Sequence, residues 1–184
     1  MKKIDSGLTG LGTPSASGVI NLINGVAVGT DDTNRIGRVI NMANAEIRSS
    51  YEPNTAGNSQ NGDVIRCLLV YDQQTNGTAP TVSQVLQNNN YTEPYNSDFE
   101  DRFTILYDEY TNLEANTYTA AVLQNGTPKF HTLTIDMDLD LDTIYKDTGA
   151  TSTAIATGGL YLLFISAYAS WKGTYNSRIW FNDE

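Results

Sequence analysis

Residues 132–143 read TLTIDMDLDLDT, an uninterrupted alternation of apolar and polar side chains. Successive side chains of a β-strand point to opposite faces of its sheet, so this segment is predicted to be a strand with two different faces. The apolar face would enter a core and carries Leu133, Ile135, Met137, Leu139 and Leu141. The polar face would meet water, ions or a neighbouring molecule and carries Asp136, Asp138, Asp140 and Asp142, which we call the acidic ladder. The chain must therefore contain at least one sheet with a buried side and a polar side.

The rest of the chain has the pattern of an all-β protein. Asn-Gly pairs, which readily adopt the positive φ of tight turns, occur at residues 24–25, 61–62, 76–77 and 125–126. Between them, runs rich in Val, Ile, Leu, Thr and Tyr predict strands at residues 19–28, 38–51, 64–71, 103–113, 117–123, 130–141, 160–171 and 174–181. Strands at this irregular spacing are typical of a β-sandwich.

Two segments allow more specific predictions. Residues 160–169 are almost continuously apolar, which predicts a strand that is buried on both faces. Residues 81–87 (TVSQVLQ) are predicted to be helical, with Thr81 as the N-cap and Gln84 three residues later to complete a capping box. The predicted fold class is therefore all-β, with one short helix in a loop between strands.

Charge and reactive side chains exclude several functions. Lys and Arg total 11 against 21 Asp and Glu, a net charge of −10. This balance argues against a self-sufficient nucleic-acid binder, because phosphate contacts need clustered cations. One cysteine, Cys67, and one histidine, His131, exclude an internal disulfide and metal sites rich in Cys or His.

Catalytic motifs are missing from the sequence. It contains no Gly-x-Ser-x-Gly elbow, no Gly-x-x-x-x-Gly-Lys loop and no His-Glu-x-x-His helix. His131 is expected to be solvated or packed at the start of a strand. A glycosidase with paired carboxylates remains open, although no substrate-binding signature accompanies the ladder. We predict that the protein is not an enzyme.

The acidic ladder has two interpretations. Alternate residues of a strand lie about 6.6 Å apart, so neighbouring carboxylates repel one another and could share a hard cation such as Ca²⁺. One straight strand cannot bring six oxygens together without a second segment or subunit. The other interpretation is a solvated acidic face that also discourages pairing at a sheet edge.

Length and patterning predict one domain preceded by an arm. Residues 6–18 (SGLTGLGTPSASG) are small and flexible, so we expect a flexible N-terminal arm over residues 1–17 and a folded domain over residues 18–184. The longest apolar stretch, residues 159–169, is too short to span a bilayer, so no membrane partner is expected. No signal peptide opens the sequence, which predicts synthesis in a reducing compartment.

Three blocks of sequence resemble a known family. They are VIRCLLVYDQQTNGTAPTVSQVL at residues 64–86, DRFTILYD at residues 101–108, and the Asn-Gly pair at 24–25 followed by GTDD at 29–32 and NRIG at 34–37. In this order they resemble the coat protein of satellite tobacco necrosis virus and the capsid proteins of circular, Rep-encoding single-stranded DNA viruses. The resemblance covers residues 18–110 well, and the remainder matches in its strand pattern.

The resemblance implies an eight-stranded jelly-roll β-sandwich that self-assembles into a small icosahedral shell, a 60-subunit T=1 particle. The protein would then be part of the virion and would be assembled inside the host cell. A non-viral jelly-roll binding module, lectin-like or a trimeric ligand, remains the alternative. Small oligomers instead of particles would distinguish it.

The resemblance also implies site residues. Members usually carry a basic arm for genome packaging, whereas here only Lys2 and Lys3 precede the predicted sandwich. Arg66 falls where the satellite coat protein has an inward-facing Arg, and Tyr107 falls where it has a Lys. Lys2, Lys3 and Arg66 are thus the candidates for facing nucleic acid, and cargo is doubtful without a basic arm.

Calcium between subunits is the last implication of the resemblance. Relatives bind Ca²⁺ through an Asp just before the C-terminus, the position of Asp183, with carbonyl ligands expected at residues 58–62. Asp136, Asp138 and Asp140 of the ladder are further candidate ligands at subunit interfaces. A solvated chain end is the alternative interpretation of Asp183.

Overall fold

The structure is a computed structural model that describes residues 1–12, 15, 17–53, 62–114, 118–119, 122–123 and 130–183. Its strands are β1 (Lys2–Asp5), β2 (Thr9–Gly12), β3 (Val19–Leu22), β4 (Val39–Pro53), β5 (Asp63–Asp72), β6 (Phe103–Leu113), β7 (Tyr118–Thr119), β8 (Val122–Leu123), β9 (His131–Tyr145), β10 (Ile155–Thr157), β11 (Gly159–Ser166) and β12 (Trp171–Asp183). One helix, α1 (Val82–Val85), and two 3₁₀ turns, Ser97–Phe99 and Ser152–Ala154, lie in the connections.

Ten of the described strands form two antiparallel sheets that pack face to face, and β7 pairs only with β8. The first has the order β1, β12, β4, β9, β10, with β2 also paired to β12, and the second has the order β3, β11, β5, β6. If β1 and β2 are taken as one interrupted edge strand, each sheet has four principal strands in jelly-roll order, and β10 extends the edge of the first. The predicted jelly-roll β-sandwich is confirmed.

The N-terminal segment belongs to the first sheet. Lys2 pairs with Phe181 and Asp5 with Arg178, and β2 then pairs with residues 173–175 of the same strand. This differs from the expected flexible arm over residues 1–17, because the first strand of the jelly roll already begins at Lys2. No strand signal is present here in the sequence, because β1 (KKID) carries three charged side chains and β2 (TGLG) carries two glycines, and both are held by backbone pairing with β12.

Other predicted strands differ from the structure mainly at their ends. β3 ends at Leu22 instead of continuing to residue 28, because the Asn24 side chain is buried and the Gly25 backbone passes close to Ala150. A Cβ on Gly25 would lie 1.9 Å from the Ala150 carbonyl oxygen. The predicted strand at residues 160–171 ends at Ser166. Of the strand predicted at 117–123, residues 118–119 and 122–123 form β7 and β8, and the other three residues lie outside the described ones.

The core explains the apolar run of β11, all eight residues of which are buried as predicted. One of its faces meets the first sheet through residues such as Phe164, which packs edge-on against Tyr51 with ring centroids 6.3 Å apart. The other face, with Leu163 and Ile165, lies in a second apolar cluster that includes Val85 of α1. The second sheet is therefore covered on both sides.

The helix appears where the sequence predicts it. Thr81 is its N-cap, and the Thr81 backbone N–H donates to Gln84 Oε1 at 2.9 Å, one half of the capping box. Within the part of the chain that the structure describes, no helix is long and apolar enough to cross a membrane.

The block at residues 24–37 holds the fold together through two buried polar side chains. Asn24 donates to Thr143 Oγ1 at 2.8 Å and accepts from the Leu160 N–H at 2.8 Å, which joins both sheets. Arg35 donates to backbone carbonyls and stacks on the Tyr145 ring, 3.9 Å from its centroid. This block therefore has a structural role in the subunit itself.

Candidate functional site

The acidic ladder lies on the outward face of β9, and all four of its carboxylates are exposed. Asn41 on the adjacent strand β4 donates its side-chain amide to Asp140 Oδ1 at 3.0 Å and to Asp142 Oδ1 at 2.9 Å. Asn44 donates in the same way to Asp136 Oδ1 at 3.2 Å and to Asp138 Oδ1 at 3.4 Å. Each asparagine thus bridges two aspartates.

A shift in strand register places both asparagines opposite the ladder. Asn41 is opposite Asp142 and Asn44 is opposite Asp138, while Ala43 between them has no partner in the registers with β9 and β12. Against β12, Ala43 is the extra residue of a β-bulge in β4, and it turns two side chains three positions apart to the same face. Against β9 the extra residue lies on the ladder strand, where Leu139 and Asp140 stand opposite Ala43. Neutral amide donors offset part of the carboxylate repulsion and leave the four negative charges in place.

The ladder also lies beside an open sheet edge. β4 pairs with β9 along one edge. Along the other edge, β10 pairs only with Ile144 and Tyr145 among the described residues. Charged side chains along such an edge disfavour pairing with a further strand. Within the described ranges, no three His, Cys, Asp or Glu side chains are grouped to hold a metal ion. A cation at the ladder would need oxygens from a second subunit.

Asp183 lies at the end of β12, paired with Ile40, in an ordered position. The ammonium of Lys2 lies 2.8 Å from Asp183 Oδ2, and the side chains are only 20% and 18% exposed. Asp183 Oδ1 accepts from the Ile36 N–H at 3.1 Å. Apart from Gly62, the residues expected to supply carbonyl ligands, 58–62, lie outside the described residues.

Lys2 and Lys3 are held by the first sheet. Lys2 Nζ also donates to the Asn34 carbonyl oxygen at 2.8 Å. Lys3 Nζ lies 4.0 Å from Asp5 Oδ2 and 5.8 Å from the ring centroid of Trp180. Of the predicted site residues, the structure brings together Lys2 and Asp183, which sequence reasoning had assigned to two different roles.

Arg66 on β5 is buried in an ion pair. It donates from Nε and Nη2 to the two carboxylate oxygens of Asp108 on β6, at 2.8 and 2.6 Å, and from Nη1 to the carbonyl oxygens of Tyr91 and Glu93. Burial lowers the pKa of Arg66, but the hydrogen bonds and charge of Asp108 outweigh it, and the net pKa is raised. Four of the five N–H groups are thus occupied within the subunit, which leaves little for a phosphate.

Tyr107, at the position where a relative has a lysine, also has an internal partner. Its hydroxyl donates to Glu109, and burial followed by this acceptor raises the pKa of Tyr107. Asp108 and Glu109 were not singled out in the sequence. Asp108 lies in the block at residues 101–108 that carries the family resemblance, but its contact with Arg66 depends on the pairing of β5 with β6, which was not predicted from the sequence.

Every Lys and Arg in the described ranges has a partner in the same subunit. Seven contact carboxylates, namely Lys2, Lys3, Arg48, Arg66, Arg102, Lys172 and Arg178. Three donate to backbone carbonyls, namely Arg35, Arg38 and Lys146. Each described Lys or Arg is therefore already in contact with a carboxylate or a backbone carbonyl of its own subunit. The negative charge that composition predicts is thus not accompanied by a cluster of unpaired cations among the described residues.

The two reactive side chains singled out by composition are packed. Cys67 is completely buried, and burial raises the pKa of its thiol. His131 lies edge-on against Trp171, with ring centroids 5.6 Å apart. These environments are those of core and strand-end residues.

The comparisons with known proteins agree with the fold. A family model described as satellite tobacco necrosis virus coat protein matches residues 8–183, nearly the whole chain. Among curated proteins, none matches the chain. The matched range includes β2 and runs to the last described residue, Asp183.

Proposed function

The chain belongs to the satellite tobacco necrosis virus coat protein family, and from this we propose that its copies associate into a closed icosahedral shell of 60 subunits, a T=1 particle. It is a structural coat protein and part of the virion. The observation that carries the shell proposal is the family match over residues 8–183 on a jelly roll with two principal four-stranded sheets. The proposed role is structural and not enzymatic, with assembly inside the host cell.

A projecting aromatic side chain supports self-association. Tyr168, in the loop between β11 and β12, is 69% exposed. Asp63 fixes this loop, because its carboxylate accepts from Ser166 Oγ at 2.8 Å and from the N–H groups of Tyr168 at 3.0 Å and Ser170 at 2.9 Å. The backbone of this loop therefore loses little conformational entropy when Tyr168 contacts a neighbour, and tyrosine is enriched in interfaces.

A second exposed aromatic side chain lies at the same end of the sandwich. Phe130 precedes His131, which is opposite Tyr51, and Trp171 follows the Tyr168 loop opposite Pro53 of the same strand β4. Phe130 is 59% exposed. We propose that this end of the subunit contacts neighbours around a symmetry axis.

Charge-driven genome packaging has little support in this subunit. All described cations are engaged internally, and the net charge is −10. We propose that the shell closes through apolar and polar contacts and gathers little nucleic acid by charge. The electrostatic cost of bringing acidic subunits together would then fall as salt concentration rises.

Calcium at subunit interfaces is a further part of the proposal, and the ladder is where it has support. Among the described residues, Asp136, Asp138, Asp140 and Asp142 have amide partners and form no ion pair with a Lys or Arg. Carboxylate oxygens are the ligands that Ca²⁺ prefers. A neighbouring subunit would have to supply the remaining ligands, so chelation would affect assembled shells more than free subunits.

Electron microscopy of the purified protein tests the shell, and the ratio of absorbance at 260 and 280 nm tests the cargo. Uniform closed particles with the ratio of pure protein are expected. A stable monomer or small oligomer at high concentration, with or without calcium, would contradict the shell. Particles rich in nucleic acid would contradict the cargo proposal alone. Thermal unfolding of particles with calcium or a chelator tests the ladder, and an unchanged midpoint would remove calcium from the proposal.

A further inference from the structure

The Lys2 ammonium joins two oxygens that belong to distant parts of the chain. It lies 2.8 Å from Asp183 Oδ2 and donates to the Asn34 carbonyl oxygen at 2.8 Å. The other Asp183 oxygen accepts from the Ile36 N–H at 3.1 Å. The N-terminal strand, the segment at residues 34–37 and the last strand therefore meet at one positive charge.

The position of this charge is the one where the family resemblance implied calcium. A carboxylate and a backbone carbonyl are ligand types that Ca²⁺ uses, but Ca²⁺ needs six to eight oxygens. Here one carboxylate oxygen and one carbonyl oxygen already contact an ammonium, and the second carboxylate oxygen accepts from a backbone N–H. The residues present therefore do not fit a calcium ion at Asp183.

We propose that Lys2 supplies from within the chain the positive charge that Asp183 needs, so that this carboxylate binds no calcium. The ion pair fastens the first strand and the segment at residues 34–37 to the C-terminal end of β12. Because both side chains are mostly buried, this tie is screened less by salt than an exposed pair. The proposal concerns a contact within one subunit and holds whether or not shells form.

Neighbouring contacts also attach β1 to the segment that Lys2 reaches. The Lys3 N–H donates to the Asp32 carbonyl oxygen at 3.2 Å, so the backbone of β1 is bonded to the same connection that Lys2 reaches with its side chain. Burial lowers the pKa of the nearby Arg35, and the charge of Asp183 partly offsets that effect. Asp183 is thus the negative centre for two cations of the first sheet and its adjoining loop.

The test compares Lys2→Met, Asp183→Asn and the double variant with the native chain, by thermal unfolding in a chelator and in millimolar calcium. Lys3→Met is the matched control, because Lys3 is the next residue of the same strand and its ammonium is more exposed, 4.0 Å from Asp5. In chelator, Lys2→Met is expected to lower the unfolding midpoint by about 2–4 °C, and Lys3→Met by clearly less. Calcium should not restore the loss in Lys2→Met, because Asp183 and the Asn34 carbonyl supply too few oxygens for the ion.

The shift of the unfolding midpoint that calcium causes in the native chain tests whether Asp183 binds the ion. Any calcium bound at the ladder would shift the native chain and Asp183→Asn equally, so equal shifts in these two proteins are expected. A larger calcium shift in the native chain than in Asp183→Asn would overturn the proposal, because Asp183 would then bind calcium beside Lys2. An unchanged midpoint for Lys2→Met in chelator would overturn the stabilising role of the ion pair. Calcium rescue of Lys2→Met that is absent from the double variant would show that Asp183 binds the ion, and would overturn the conclusion that these residues do not fit it.

Discussion

Arg66 and Asp108 form a bidentate ion pair between β5 and β6, with two nitrogen–oxygen distances of 2.8 and 2.6 Å. The Arg66 side chain is 5% exposed and the Asp108 side chain 17% exposed, so the pair is largely removed from water. The same guanidinium donates to the carbonyl oxygens of Tyr91 and Glu93 and thereby holds the segment that follows α1 against the outer face of the second sheet. A residue expected to face nucleic acid is thus a structural centre of the subunit.

Replacement of Arg66 by Met should destabilise the subunit by about 3–5 kcal/mol, because Asp108 would keep a poorly solvated charge without its partner. Arg66→Lys should fall between Arg66→Met and the native protein, since lysine keeps the charge but cannot form the two-pronged contact. Urea unfolding measures both. Arg48→Met is the control, as Arg48 forms an exposed pair with Glu46 and should cost no more than about 1 kcal/mol. Equal losses at Arg66 and Arg48 would contradict the structural role.

Local pattern was enough to predict much of the sandwich. The alternation in β9, the apolar run in β11 and the cap of α1 each depend on neighbouring residues, and each is present in the structure. The first strand was missed because its residues carry no strand pattern and are held by β12, which lies at the other end of the chain.

Partners of site residues were harder to predict than the residues themselves. Lys2 and Asp183 were both singled out, but their contact depends on sheet order and cannot be read from spacing along the chain. The amide bridges from Asn41 and Asn44 depend on the unpaired Ala43, which no short-range pattern announces. Long-range pairing and strand register are the physical information that one sequence does not display.

Removal of one ladder charge should stabilise the subunit at low salt. Neighbouring ladder carboxylates about 7 Å apart repel by roughly 0.6 kcal/mol per pair in water, so Asp138→Asn, with two such neighbours, should gain up to about 1 kcal/mol. At about 1 M salt the screening length falls to about 3 Å, and most of the gain should disappear. Urea unfolding at both salt concentrations measures it. A loss of stability at low salt would contradict the prediction and would show that the negative charge of Asp138 makes a net favourable interaction in the native protein.

The Cys67 thiol should be unreactive in the folded protein. Its side chain is completely buried and burial raises its pKa, so almost no thiolate is present at neutral pH. A colorimetric thiol reagent should detect no thiol in the native protein and one per chain in denaturant. Because the thiol pKa is higher in the folded state, its contribution to stability should fall as pH rises above the unfolded value of about 8.5. Rapid labelling of native protein would contradict this burial.

Tyr168→Ala should reduce the yield of shells without a matching loss of subunit stability. The side chain is mostly exposed, whereas the loop that carries it is held by backbone and Ser166 bonds to Asp63 that the substitution leaves in place. Particle yield by size-exclusion chromatography and unfolding of dissociated subunits measure the two effects separately. Tyr168→Phe, which keeps the ring, should assemble normally. Full assembly of the alanine variant would place Tyr168 outside the contacts between subunits.

The ion pair between Asp5 and Arg178 should make a small, acid-sensitive contribution to the attachment of β1. Arg178 donates from Nε to Asp5 Oδ1 at 2.6 Å, and this hydrogen bond is the main reason that the pKa of Asp5 is lowered from 3.8. A carboxyl whose pKa is lower in the folded state stabilises the protein above its unfolded pKa, and the contribution disappears as pH falls through the folded value. Asp5→Asn should therefore lower the unfolding midpoint slightly at neutral pH, because the pair is exposed. The difference from the native protein should vanish in a pH series of thermal unfolding that descends well below pH 3.8, and a difference that grows in acid would contradict the sign of the pKa shift.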